Sequence, residues 1–212
     1  QRPQAGHQQQ RRHDQRISAA MGIFGVRHAL RQFHAAPKIG HVKHGLDGEQ
    51  KVEEEPADVG KKVASHHTGN VKLQNGTLKF NDKNELTGGQ FTIDMTTLSN
   101  TDLQGEWNDK LIGHLKSDDF FSTEKYKTST LVLKDVKKTA ANKYKVTGDL
   151  TIKGTTAPVT FDADVTGNQA KAKVVFDRTK YNVQYSSGKF FQNLGDKLIL
   201  DDVELDVDLK LN

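Results

Sequence analysis

Residues 144–154 read YKVTGDLTIKG, and the stretch alternates without a break. Tyr144, Val146, Gly148, Leu150 and Ile152 fall on one side of an extended chain; Lys145, Thr147, Asp149, Thr151 and Lys153 fall on the other. One dry face and one wet face is the pattern of an antiparallel strand that walls a core. APVTFDADV repeats it, with Ala157, Val159, Phe161, Ala163 and Val165 set against Thr160, Asp162 and Asp164. VELDVDLKL sets Val203, Leu205, Val207, Leu209 and Leu211 against Glu204, Asp206, Asp208 and Lys210. Further strands are expected over 61–65, 70–80, 89–95, 128–136 and 170–177. Turn signals separate them: QNG at 74–76, NDKN at 81–84, KGTTAP at 153–158 and TGNQ at 166–169. Asn75-Gly76 suits a tight turn or a bulge. Many short strands at near-regular spacing give an all-β barrel or sandwich.

One segment departs from this rhythm. Leu103, Trp107, Leu111 and Leu115 recur at helical spacing, which predicts one helix over about 103–117, with Ser99, Asn100 or Asp102 as its cap. Two adjacent aromatics, Phe120 and Phe121, follow it inside a polar run, between Asp118-Asp119 and Ser122. Two readings fit them. Either one plugs the core while the other lines a ligand entrance with a wet rim, or both are core anchors for the helix.

Composition sets the outer limits. Apolar residues make up 34 % of the 212 and charged residues 27 %, which suits a modest core. Net charge is +4, split evenly: residues 1–59 hold 9 Lys+Arg against 7 Asp+Glu, and residues 60–212 hold 22 against 20. Neither part carries the basic excess of a nucleic-acid binder. There is no Cys, hence no thiol chemistry and no Cys-based zinc site. No apolar run approaches the ~18 residues of a membrane-spanning helix.

The chain changes character near Gly60. Upstream, Arg outnumbers Lys six to three; downstream there are 21 Lys and one Arg, Arg178. The division is therefore a tail over 1–59 and a β domain over 60–212. The tail shows no sustained period, its one helix-like piece being Met21–Ala36. Three readings fit it: a low-complexity, disordered extension; a targeting peptide, since no acid occurs between Gln15 and Leu46; or a segment translated from the wrong reading frame. No secretory signal is recognisable, because Arg27, His28 and Arg31 interrupt any apolar core.

LTGGQFTIDMTTL, HLKSDDFFSTEKY, VTGDLTIKGTTAPVTF and FDRTKY, in that order, resemble the YceI-like family of lipocalin-like, polyisoprenoid-binding proteins. The resemblance covers about residues 60–212. It implies an antiparallel eight-stranded barrel with a long apolar lumen, non-enzymatic binding of an isoprenoid or similar long-chain lipid, and a periplasmic or extracellular location. Two departures stand out. Lys127 occupies a position where the family carries Pro, and GLDGEQKVEEEPADV at 45–59 does not resemble the family's first strand. A barrel built from 60–212 alone would lack that strand and stay open at one edge.

The candidate lumen residues are Phe91, Ile93, Met95, Leu150, Ile152, Val159, Phe161, Val174 and Phe176 from the strands, with Leu111, Leu115, Phe120 and Phe121 from the helical region. Alternation alone does not distinguish a hollow barrel from one filled by its own side chains. Arg178 is read as a head-group contact or as a structural clasp, and His114 as a pH-sensitive latch or a helix-end hydrogen-bonding group. His66 and His67 are strand neighbours facing opposite ways and form no metal site. No cofactor is implied, and GxSxG, HExxH, P-loop and GxGxxG motifs do not occur in the sequence. Three functions follow: a lipid carrier, as a monomer or a homodimer; an enzyme acting on a lipid held in the barrel; and an interaction module with a packed barrel.

Overall fold

The computed structural model describes residues 13–17, 25–27 and 67–211. The expected strand over 61–65, His66 and most of the tail lie outside them. Seven long strands carry the fold: β3 (Gly69–Phe80), β4 (Leu86–Asn100), β5 (Thr128–Ala140), β6 (Lys143–Ile152), β7 (Thr155–Thr166), β8 (Gln169–Asp177) and β9 (Asp202–Lys210). Each pairs antiparallel with the next along the chain. Two short strands add at the outer edges: β1 (His13–Ile17) on β3 and β2 (Gly25–Arg27) on β9. The sheet order is β1-β3-β4-β5-β6-β7-β8-β9-β2. Among the described residues no ladder joins β1 to β2, so the wall is one curled sheet of seven long strands rather than a hydrogen-bonded ring of eight. Two expectations for the tail change accordingly. Part of the helix-like piece Met21–Ala36 is strand β2, because the free edge of β9 offers Val26 a ladder opposite Leu205. The edge of β3 is likewise paired, not bare.

The alternation holds on β6 to β9, whose registers run without a shift. The wet faces carry cross-strand pairs: Lys143–Asp164 at 3.1 Å, Lys145–Asp162 at 3.3 Å, Lys171–Asp208 at 3.2 Å and Lys173–Glu204 at 2.8 Å. Such exposed pairs are worth ~0–1 kcal/mol each; they fix register more than stability.

On β3 to β5 the alternation is interrupted. β3 buries Val71 and Leu73, then Leu78, because an extra residue at Gln74 shifts the register between Leu73 and Asn75. QNG is therefore a bulge inside a strand and not a turn. β4 runs past the expected end at Met95: between Asp94 and Ser99 four of its residues, Met95 to Leu98, oppose Val71 alone, with Asp94 Oδ1 accepting from Thr96 N at 3.0 Å and Lys72 N donating to Thr97 Oγ1 at 2.8 Å. The strand resumes and turns Leu98 inward. β5 shifts between Leu133 and Asp135. Bulges bend a strand and raise its twist, so the sheet curls where they cluster.

Helix α1 (Gly105–Lys116) follows β4, shorter than expected at its start. Its N-cap is Gln104, without a side-chain hydrogen bond. The expected caps are engaged elsewhere. Asn100 Oδ1 accepts from Leu103 N at 2.7 Å, Asp102 Oδ1 from Thr68 N at 2.9 Å, and Ser99 Oγ donates to Asn70 O at 3.3 Å. The stripe is also less dry than its spacing suggests. Leu111 and Leu115 pack partly on the core, while Trp107 is 41 % exposed, with Lys110 Nζ 5.0 Å from its ring centre.

Inward glycines mark close approach inside the curl. A Cβ on Gly89 would lie 2.6 Å from Thr77 O and 2.9 Å from Leu78 Cδ2, whereas one on Gly88 would meet nothing within 4 Å. Gly89→Ala is expected to lower the urea midpoint by an amount equivalent to about 1–3 kcal/mol, and Gly88→Ala to change it by less than half as much. Equal effects would remove the steric account of this curl.

Candidate functional site

All seven long strands contribute side chains to one cavity. Its walls include Val71 and Leu78 of β3, Phe91, Ile93 and Met95 of β4, Leu131 and Leu133 of β5, and Val146, Leu150 and Ile152 of β6. Phe161 of β7, Val174 and Phe176 of β8, and Val203 and Leu209 of β9 complete the circuit. On β8 the lining runs from Ala170 to Phe176, roughly 20 Å at strand rise. The cavity volume is about 120 Å³, and the space opens to solvent. Small residues leave this space: Ala163, Ala170 and Ala172 border the cavity. Gly148 sits opposite Leu133 and Val159.

Of the residues singled out from sequence, Phe91, Ile93, Met95, Phe121, Leu150, Ile152, Phe161, Val174 and Phe176 border the cavity. Leu111 and Leu115 stay on the helix against the core, and Phe120 and Val159 are buried without bordering the space. Val71 and Leu78 lay within the expected strand over 70–80, whose faces were not assigned, and Leu98 lies beyond the strand expected over 89–95; the bulges put Leu78 and Leu98 out of phase with the inward residues before them. Leu131 and Leu133 lay within an expected strand whose faces were not assigned.

One end of the curled sheet is closed by α1, the segment after it and the loop before β9. The chain winds back over the helix C-terminus: Phe121 N donates to Leu115 O at 3.1 Å, Thr123 N to Lys116 O at 3.0 Å and Ser122 N to Ser117 O at 2.8 Å. These bonds satisfy carbonyls that a helix end leaves open. The fold-back gives the adjacent aromatics different surroundings. Phe120 is fully buried and meets His114 edge-on at 5.3 Å and Phe121 at 5.5 Å. Phe121 borders the cavity. Asp118 and Asp119 are exposed at the rim, and Lys125 holds the Asp118 carboxyl below its ordinary range through a 2.6 Å bond.

FDRTKY is a closure device. Phe176 borders the cavity, and Tyr181 meets it edge-on at 5.5 Å. Asp177 Oδ1 caps the following 3-10 turn by accepting from Thr179 N at 2.9 Å. Burial pushes the Asp177 carboxyl up, but the bonds from Lys189 and Thr179 outweigh it and hold it low. Tyr181 is pushed up to about 12 by burial, with a further contribution from Asp177, so its hydroxyl stays protonated. Arg178 is fully buried: Nε donates to Leu200 O at 3.1 Å, Nη1 to Val183 O at 2.8 Å and Nη2 to Ile199 O at 3.0 Å. Its guanidinium carbon lies 5.5 Å from the centre of the Phe120 ring. Asp201 Oδ1 sits 3.3 Å from Nη2, off the direction of an N–H, so that contact is one of charge. Burial lowers the Arg178 pKa, and Asp201 and Asp177 partly restore it. The clasp occupies the guanidinium from several sides, and Arg178 does not border the cavity.

Arg178→Met would leave the carbonyls of Val183, Ile199 and Leu200 without their donor, and Asp201 with Lys189, at 3.3 Å, as its remaining cation. A loss of about 3–5 kcal/mol is expected in denaturant unfolding. Arg178→Lys should recover little of it, since an ammonium cannot serve the fork.

His114 packs between Phe120 and Tyr185, with ring centres at 5.3 and 4.5 Å. Burial lowers its pKa from 6.5, opposed by Asp119. Its neutral form is thus the one the fold favours. The contribution to stability is whole above pH 6.5 and declines as pH falls from there to the depressed folded value. His114→Phe is expected to flatten the thermal midpoint between pH 7 and 5 relative to the parent protein; parallel profiles would refute this assignment.

Among the described residues, no group of three or more His, Cys, Asp and Glu is placed to hold a metal ion, and no helix is long and apolar enough to cross a membrane.

Comparison with known proteins bears on this architecture. The YceI-like domain family matches residues 50–211, beginning ten residues before the change in composition at Gly60. Protein YceI of Escherichia coli O157:H7 is 36% identical over 100 residues, 47% of this chain and 49% of the relative. A UPF0312 protein of Staphylococcus epidermidis is 34% identical over 116 residues, 50% of this chain and 63% of the relative. The chain thus spans about half the length of the curated relatives it matches. BcnA of Burkholderia cenocepacia superposes with a TM-score of 0.58 at 19% identity, covering 91% of this chain and 98% of that one. The Campylobacter jejuni YceI protein gives 0.53 at 23% identity, covering 78% and 99%. At such identities the superpositions speak for the fold alone. With a family match over most of its length and the same curled sheet, the chain belongs to the YceI-like domain family.

Proposed function

We propose that residues 60–212 form a non-enzymatic carrier or reservoir for a polyisoprenoid or similar long-chain amphipathic lipid, held in the apolar cavity. The proposed site is the bordering set Phe91, Ile93, Met95, Phe121, Leu150, Ile152, Phe161, Val174 and Phe176, with Phe121 at the end closed by the helix. The seven-strand wall is the larger part of the eight-stranded lipocalin-like barrel typical of the family. The observation that carries the reading is the cavity itself, walled by apolar side chains from every long strand. A chain-like guest needs no reactive group there, because each buried methylene stabilises by about 0.8 kcal/mol. A periplasmic or extracellular location goes with the family.

The enzyme reading has less to stand on. Lys171 is the one ionisable residue along the described lining, and its amine lies 3.2 Å from the Asp208 carboxylate on the wet face. General acid–base work on a bound lipid would need a titratable group facing it. The packed-module reading is disfavoured by the cavity.

Organic extraction of the purified protein, or native mass spectrometry, is the direct test. Co-purifying lipid, or uptake of a prenyl quinone by delipidated protein, is the expected result. Leu150→Trp, which fills the middle of the wall, should cut uptake at least fivefold while the protein stays folded. A folded domain that carries no lipid and takes up none would overturn the carrier reading.

A further inference from the structure

One inward position does not fit an all-hydrocarbon guest. Ser129 lies near the start of β5, on the face that continues through Leu131 and Leu133, and borders the cavity with them. It is 4 % exposed. Its backbone register opposes Ile93, which also borders the cavity, as do Met95 and Phe121 at the same end. Its Oγ has no hydrogen-bond partner among the described groups. The other hydroxyls near this end are engaged: Thr97 Oγ1 donates to Asp94 O at 2.6 Å, and Ser122 Oγ bonds Asp118. A buried, unsatisfied hydroxyl is destabilising, and alanine would serve the wall better if packing were its only duty.

Resting on the carrier reading, we propose that Ser129 Oγ is the polar contact for the bound lipid and selects a guest whose head group is uncharged and forms hydrogen bonds. An alcohol, carbonyl or amide would lie inside the cavity at the level of Ile93 and Ser129, with its hydrocarbon running toward Leu133 and Leu209. The charge preference follows from the wall. Lys171 directs its amine to Asp208, and Arg178 is spent on backbone carbonyls away from the cavity. A phosphate or carboxylate drawn to this depth would meet no counter-charge along the described lining and would stay costly to desolvate. An uncharged head needs one hydrogen bond, which Ser129 supplies as donor or acceptor.

Hexahydrofarnesol, the saturated alcohol, and farnesane separate the terms, because they share one saturated carbon skeleton and differ only in the hydroxyl. Both are titrated into delipidated full-length protein and into Ser129→Ala, with native mass spectrometry or displacement of an apolar fluorophore as readout. The parent protein is expected to prefer hexahydrofarnesol about fivefold, the net worth of one hydrogen bond. Ser129→Ala should bring the ratio to about one or below, since the guest's hydroxyl then lacks a partner, while leaving farnesane binding unchanged, and its ligand-free form should unfold at a higher urea concentration than the parent. If the parent binds both probes equally, or Ser129→Ala keeps the preference, the carrier reading stands and the role of Ser129 falls. If the parent binds neither probe, the carrier reading falls and this inference with it.

Discussion

The guanidinium of Arg178 is the tie on which the closed end of the curled sheet depends. Its donors reach Val183, Ile199 and Leu200, carbonyls on both sides of the loop before β9, and its face meets Phe120 from the segment after the helix. A single cation thus holds the end of β8, the loop and the helical excursion against one another. A planar fork suits the task, because it satisfies several carbonyls at fixed angles while remaining charged despite burial. The usual objection to a buried charge, that its desolvation exceeds its Coulomb gain, is met here by hydrogen bonds to carbonyls that would otherwise be orphaned.

With that end tied, the adjacent phenylalanines have separate duties. Phe120 fills the space among Arg178, His114 and Tyr185; Phe121, one peptide further, faces the cavity. Neighbours on a regular strand would also point opposite ways. Here the divergence comes from a wound segment closing over the helix C-terminus, with Ser122 in the left-handed region at φ 51°. The polar residues around the pair are the exposed side of that turn. A run that looks too polar for two aromatics is consistent once its backbone bonds are assigned to the last carbonyls of α1.

How much of this was legible in the sequence depended on register. On β6 to β9 hydropathy alternation named the inward residues directly, because no extra residue interrupts the ladders. On β3 to β5 each bulge exchanges the faces beyond it, so Leu78 and Leu98 fall out of phase with the residues that precede them. Asn75-Gly76 was ambiguous for the same reason: a glycine that permits a turn also permits a bulge, and long-range pairing decides between them. The helix was visible from its stripe but not its start, because Asn100 and Asp102 hold the end of β4 to Thr68 and Leu103 instead of capping α1. Arg178 was conspicuous as the domain's one arginine, yet the carbonyls it binds lie up to 22 residues away and carry no side-chain signature. Ser129 was invisible for an opposite reason. A serine on a strand is ordinary, and only burial without a partner makes it notable.

The small residues of the wall bear on whether the interior is a core or a container. At about 24 cal/mol per Å³, an apolar void of 120 Å³ forgoes roughly 3 kcal/mol relative to a filled one. Filling it would ask little of the backbone, since Ala163, Ala170 and Ala172 already border the space and larger aliphatic residues fit strands well. A guest present at a hundred times its dissociation constant returns about 2.7 kcal/mol to the folded state, close to what the void forgoes. The wet face argues in the same direction. Its lysine–carboxylate ladders invert the polarity of a transmembrane barrel, whose apolar band faces outward. A curled sheet whose outer face carries charged ladders, and whose apolar interior is short of side-chain volume at its centre, offers that interior surface to a molecule that enters it.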